Sequence, residues 1–394
     1  MASPDRPARV AGQPSRPVLV IGGGIMGLWA ALKVARAGFA VTLAERGRVG
    51  QGASGGLLGA LMAHMPDRWN EKKQFQFEAL LSLEDEIVRL ESETGMASGY
   101  RRSGRLIPLP KPHLREIALG HERDARQVWQ APGRGFEWRV VDEAMFGEGW
   151  PQAHYRASGL VFDTLAGRVF PRSVTALVRA GLQALTHVTL LEGVGIRAID
   201  ARNFKALCEN GDEIAFSHVI VAGGVEAFRL IEGLRPWTGK PLGMGVKGQS
   251  ALLRAPVDPA LPLIYLEGLY VVPHEGGMVA IGSTSENSFD APFTTDGQVQ
   301  ALIERATEMV PALEGAEVVE RWAGLRPKAI GRDPMVGAHP EFPQVIALGG
   351  GFKVSFGIAH KLAEAACAAL KGEDMRVPES FHLARHLEMA ASKR

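Results

Sequence analysis

Cysteine is almost missing from this 394-residue chain: only Cys208 and Cys367 occur, far apart and without CxxC spacing. That excludes a disulfide framework and a Cys-rich zinc site, and a reducing, cytoplasmic setting is the expectation. An excess of either charge is missing too, since 44 Lys and Arg stand against 43 Asp and Glu, a net of +1. Such a balance offers no footing for nucleic acid or an anionic membrane surface. No apolar run reaches the roughly 18 residues that a membrane helix needs. Residues 1–16 (MASPDRPARVAGQPSR) hold no apolar core of a secretory signal, and their composition predicts a disordered tail. Aromatics make up only 7%, yet 46% of the residues are hydrophobic, ample for a large core and about two domains.

Glycine is abundant, at 47 residues, and its placement is informative. The apolar run Pro17-Val18-Leu19-Val20-Ile21 leads straight into Gly22-Gly23-Gly24-Ile25-Met26-Gly27, and Glu45 closes the next apolar run, Ala40 to Ala44. Gly22 permits a tight turn, Gly24 lets backbone approach a pyrophosphate, and Gly27 lets the following helix, Leu28 to Ala37, pack on the strand. The helix aims free amides and a positive dipole end at that pyrophosphate. Glu45 stands where a carboxylate accepts hydrogen bonds from an unphosphorylated ribose, which disfavours NADP. A glycine turn also occurs for structural reasons alone; here the strand, helix and spaced acid fit the whole dinucleotide template.

Farther on, Gly50 to Ala60 is a small-residue stretch in which backbone can lie against a flat cofactor. A helix is predicted over Glu71 to Glu93, its apolar residues recurring every three or four positions, and another around His113 to Trp129. Strands are expected at Gly104–Pro108, Gly159–Phe162, Val188–Leu191, Gly195–Ile199 and His218–Ala222, with a helix at Ser173–Leu185. From Pro236 to Arg326 the period becomes two, with strands near Gly248–Leu253, Leu269–Val272 and Met278–Gly282 and one helix from Thr295 to Met309. This reads as an antiparallel second domain. A strand at Gln344–Leu348, glycines 349–351 and a last helix, Ile358–Leu370, close the chain.

Taken in order, these segments resemble the D-amino-acid-oxidase-like FAD oxidoreductases, with glycine oxidase and sarcosine oxidases among them. The markers are the glycine cradle with Glu45, Ala53-Ser54-Gly55, Ala222-Gly223-Gly224, Val246-Lys247-Gly248-Gln249, Tyr270-Val271-Val272-Pro273, Gly282-Ser283-Thr284, Arg321 to Pro327 and Gly350 to Gly357. The resemblance implies an α/β, Rossmann-like FAD-binding domain of the glutathione-reductase type interleaved with an α+β substrate domain on a mainly antiparallel sheet. Its expected segments are 17–95, 150–235 and 327–394 for FAD, and 96–149 and 236–326 for substrate. Noncovalent FAD is implied, held by Gly22, Gly24, Ile25, Met26, Gly27, Glu45, Arg46, Ala53, Ser54, Gly55, Leu57, Val194, Ala222, Gly223, Gly224, Arg326, Gly350, Gly351, Phe352, Lys353 and Val354.

The resemblance assigns Arg326 to the substrate carboxylate, Tyr270 beside it, and Lys353 as a second cation, where glycine oxidase carries arginine. Ser285 replaces a family methionine, and Gly268 or a neighbour replaces a histidine. Oxidation of a small amino or N-substituted amino acid is implied, by hydride transfer from Cα to the flavin, with dioxygen or a quinone as acceptor. The alternatives are a dehydrogenase of 2-hydroxy acids or opine-like amines, a flavoprotein subunit that needs a partner, and a domain acting on modified RNA, which the charge balance disfavours. His64 lies near the expected flavin and receives no role.

Overall fold

The computed structural model describes residues 17–142 and 145–392, and in it the chain builds two large sheets with helices packed against them. The tail expected over residues 1–16 lies outside the described residues. The first sheet grows around Val18–Ile21, whose four residues are all buried. An apolar run without alternation is what a central parallel strand requires, because helices cover both faces. It lies between Val41–Glu45 and Val219–Val221; Val188–Glu192 and Val345–Gly349 flank these, all five parallel. Met335–Ala338 adds an antiparallel edge.

The first helix runs Ile25–Arg36 rather than from Leu28, because Gly24 is still extended and forms its N-cap. Its first amides therefore sit directly at the end of the first strand. Helix Glu71–Thr94 matches its expected span: Asn70 Oδ1 accepts the Lys72 and Lys73 N–H groups at 3.1 and 3.2 Å, and Gly95 at φ 70° ends it. Helix Ser355–Lys371 starts three residues before the expected Ile358, and it is not the last, since Leu383–Ala391 follows. These helices enclose a core that includes Trp29, Leu83, Ile87 and Leu362.

The second sheet has eight strands, in the order Glu317–Ala329, Gly243–Arg254, Met278–Gly282, Leu269–His274, Leu263–Leu266, Arg105–Pro108, Leu160–Asp163, Trp138–Val141. Every neighbouring pair is antiparallel except Leu263–Leu266 with Arg105–Pro108. Leu160–Asp163, which follows residue 150, pairs in this sheet and not in the parallel one. A short apolar run reads alike in either sheet, and its partners are set by distant segments. Ile196–Asp200 likewise leaves the parallel sheet and forms a three-stranded antiparallel unit with Lys205–Cys208 and Glu213–Ala215. Helix Gly297–Met309 packs on the eight-stranded sheet, its buried Val299, Leu302 and Ala306 joining Ala251, Val271 and Ile281.

Candidate active site

One elongated cavity runs from the end of the first strand to the face of the eight-stranded sheet. At the end beside the glycine turn the backbone is as compact as the glycines allow. Gly22 has φ +105°, and a Cβ there would stand 2.6 Å from the Ala222 carbonyl oxygen. A Cβ on Gly27 would stand 1.9 Å from the Gly22 carbonyl oxygen, so any side chain pushes the helix off the turn. Ser54 reaches in and accepts the Ile25 N–H at 2.9 Å. Glu45 accepts the Gly23 N–H at 2.6 Å and the Gly47 N–H at 2.9 Å, so the carboxylate expected to face a ribose also fastens the glycine turn. Its carbonyl holds the Val194 N–H at 2.9 Å, and Arg46 pairs with Glu209 at 2.8 Å.

The far end is built on one face of the sheet. Trp322, Gly324 and Arg326 alternate along Glu317–Ala329 and share that face. Opposite them in register stand Ser250, Gly248 and Val246, and Ser250 aligns onward with Gly282 and then Tyr270. Large side chains lie flat over the glycines of this face. A Cβ on Gly248 would fall 1.9 Å from Arg326 Nη2, one on Gly324 2.5 Å from the Trp322 ring, and one on Gly282 3.0 Å from Leu58. Arg326 Nη1 donates to the Thr284 carbonyl at 3.1 Å. Burial pulls its guanidinium below the ordinary arginine range, while Tyr270 and Glu286 oppose that pull.

Tyr270 packs against Tyr265 with ring centroids 4.8 Å apart, and burial foremost pushes its hydroxyl up to about 12, so it stays a neutral donor. Lys353 is exposed to the open cavity beside the Phe352 ring. Partial desolvation, then repulsion from Arg326, holds its ammonium below the usual lysine range. The Phe352 N–H donates to the Pro327 carbonyl at 3.2 Å, which ties the Lys353 turn to the strand carrying Arg326. The acidic residues lining the cavity, Glu45 and Glu226, both belong to the glycine-turn end. The far end is cationic.

Arg326, Tyr270 and Lys353 are thus brought together, and Gly22, Gly24, Ile25, Met26, Glu45, Arg46, Ala53, Ser54, Leu57, Val194, Ala222, Gly223, Gly224, Phe352 and Val354 line the same cavity. Gly27, Gly55, Gly350 and Gly351 do not line it. They stand behind it as spacers: a Cβ on Gly350 would meet Ala329 at 2.7 Å, and the Gly55 carbonyl accepts Arg172 Nε at 3.0 Å. Trp322, Ser250, Ser283 and His64, none of them a site residue expected from the sequence, also line the cavity. Period-two alternation from Arg326 would have found Trp322; nothing local marks Ser250 or Ser283. His64 is carried on a segment that buried Gln76 clamps, accepting the His64 N–H at 2.8 Å and donating to the Met62 carbonyl at 3.1 Å.

Both cysteines are buried away from the cavity. Among the described residues no cluster of His, Cys, Asp and Glu has metal-ligating geometry, and no helix is long and apolar enough to cross a membrane.

Residues 17–365 match the family model for FAD dependent oxidoreductase. Glycine oxidase of Geobacillus kaustophilus is 30% identical over 335 residues, covering 82% of this chain and 84% of the relative. Glycine oxidase of Pseudomonas aeruginosa is 28% identical over 345 residues, covering 83% and 87%. Among solved structures, glycine oxidase from Geobacillus kaustophilus superposes with a TM-score of 0.84 at 23% identity, covering 95% of this chain and 100% of the other. Iminodiacetate oxidase from Chelativorans superposes with a TM-score of 0.78 at 20% identity, covering 93% and 98%. The cradle, the two-sheet architecture and these matches agree: the chain belongs to the family of FAD-dependent oxidoreductases, and FAD is its cofactor.

Proposed function

We propose that the protein oxidises a small amino acid or N-substituted amino acid of the glycine, sarcosine or D-amino acid type at its Cα–N bond. The product imine hydrolyses in water to an oxo compound. FAD would supply the two-electron acceptor, held without a covalent bond by the glycine turn, Glu45 and Val194. The fit rests on the cradle: Gly22, Gly24 and Ile25 offer bare backbone and a helix N-terminus to a pyrophosphate.

The single observation that carries the reading is Arg326. A guanidinium flat on Gly248, tethered to the Thr284 carbonyl and turned to the cavity, is a fork for a carboxylate. Fixing the carboxylate there orients the donor's Cα–H, which is the main contribution a protein makes to such a transfer. Lys353 adds a second positive charge, and Tyr270, neutral at working pH, donates a hydrogen bond at the same end. The apolar cover of Leu58, Met62 and Trp322 keeps bulk water from the reacting carbon. The resemblance of the chain to glycine oxidases supports an amine rather than a hydroxyl donor.

Anaerobic mixing of the yellow holoenzyme with glycine, sarcosine, D-alanine, D-proline and matched 2-hydroxy acids tests this. Bleaching by one of the amines is the expected result, and bleaching by hydroxy acids alone contradicts it. Peroxide release on readmitting air then separates dioxygen from a quinone as the acceptor.

A further inference from the structure

A guanidinium partly withdrawn from water benefits from a counter-charge, yet among the described residues no carboxylate lies within 4.0 Å of Arg326. The nearest compensation sits across the sheet. Along Gly243–Arg254 side chains alternate faces, so Gly248 underlies the guanidinium while Lys247 and Gln249 point to the opposite side. There Lys247 Nζ lies 3.7 Å from Glu286 and 3.4 Å from Asp296. Gln249 joins the two acids, donating Nε2 to Glu286 Oε1 at 3.0 Å and accepting the Asp296 N–H at 2.8 Å. One ammonium and two carboxylates leave this cluster with a formal charge of −1, opposite in sign to Arg326.

Thr284 couples the two faces. Its hydroxyl donates to Glu286 Oε1 and accepts the Gln249 N–H at 2.9 Å, while its carbonyl accepts Arg326 Nη1 at 3.1 Å. The Lys247 and Glu286 backbones also pair in both directions at 2.9 Å, so the segment is fixed. The arrangement occupies one edge of the guanidinium and leaves the rest for a ligand.

We propose that Glu286, with Lys247, Gln249 and Asp296, is a positioning device for Arg326: it supplies the counter-charge from behind and loosens the grip on a bound carboxylate, so that the oxidised product leaves. This rests on Arg326 being the carboxylate anchor. Lys353 faces the same guanidinium from the other element and works in the opposite sense, by repulsion.

The test uses the FAD-loaded protein with Glu286→Gln and, separately, Asp296→Asn, which keeps an N-cap on helix Gly297–Met309. The probe is (methylthio)acetate, a carboxylate in which sulfur replaces the amine nitrogen, with 2-(methylthio)ethanol as its uncharged counterpart. Each variant is expected to bind (methylthio)acetate more tightly, on the order of three- to tenfold in Kd read from the flavin spectrum, because one opposing charge is gone. Binding of the alcohol stays unchanged. Steady-state kcat falls while the rate of anaerobic flavin reduction at saturating donor is retained. Unchanged or weaker carboxylate binding in both variants overturns the proposal. If Arg326→Ala binds (methylthio)acetate as tightly as the parent, the anchor reading itself fails.

Discussion

Arg326 lies flat against its sheet because position 248 has no side chain. A Cβ there would overlap the guanidinium, 1.9 Å from Nη2, and strand backbone cannot give way as a flexible side chain does. Gly248→Ala is therefore expected to raise the donor KM on the order of 10- to 100-fold, the worth of a displaced charge-assisted hydrogen bond. Bound FAD per chain stays at the parent level. A parental KM with Ala at this position contradicts the packing account. Lys353 gives a pH signature. In the proposed role it assists a carboxylate only while protonated, and its ammonium is held below the usual lysine range by desolvation and by Arg326. Carboxylate affinity falls as pH rises through that lowered value, so KM climbs at a lower pH than an ordinary lysine dictates. Lys353→Arg moves the climb upward, and a KM profile identical in the two proteins removes Lys353 from the site. These residues differ in how far the sequence reveals them. Arg326, Tyr270 and Lys353 stand in recognisable strings, whereas the reason for Gly248 is a side chain far along the chain, on the neighbouring strand.

At the scale of elements, the nucleotide cradle depends on how closely one helix approaches one turn. Gly27→Ala forces a Cβ to 1.9 Å from the Gly22 carbonyl oxygen and displaces helix Ile25–Arg36 from the turn that would hold the pyrophosphate. The variant is expected to purify largely colourless; a visible spectrum with the parent's ratio of flavin to protein contradicts this. The same helix packs through Trp29 on helix Ser355–Lys371, where His360 is fully buried with its ring 5.9 Å from the indole and Nε2 2.9 Å from Ser82 Oγ. Burial holds His360 neutral, with its proton affinity lowered from 6.5 to about 3. Between those values the unfolded chain binds a proton that the folded chain refuses, so stability is complete above the unfolded value and falls as pH drops toward about 3. Urea midpoints at pH 5 and pH 7.5 are expected to converge in His360→Gln relative to the parent; an undiminished gap assigns the acid loss elsewhere. Periodicity placed the middles of these helices well and their first turns poorly. The first turn is set by what the cap touches, as at Gly24, and not by the apolar stripe.

For the whole molecule, sequence revealed the two sheets more readily than it revealed the membership of each strand. Parallel strands such as Val18–Ile21 announce themselves as unbroken apolar runs before glycine, and the antiparallel strands by their alternation. Leu160–Asp163 carries neither cue with enough length, and its partners come from distant parts of the chain. The cluster of Lys247, Gln249, Thr284, Glu286 and Asp296 is equally hidden, since it exists only where one strand, the loop after another and a helix cap meet. The cavity lies between the sheets, with one end made of glycine-turn backbone and the far end made of cations. FAD bound in that cavity would touch both sheets, and excess FAD is expected to raise the Tm of the apoprotein by mass action. A Tm independent of FAD concentration contradicts a shared cavity. The most direct test of the central claim is anaerobic stopped-flow reduction of the holoenzyme over a range of sarcosine concentrations, with Arg326→Ala alongside. The account predicts saturable bleaching in the parent and a half-saturating concentration on the order of 100-fold higher in the variant, with FAD retained; equal half-saturation in the two proteins would contradict it.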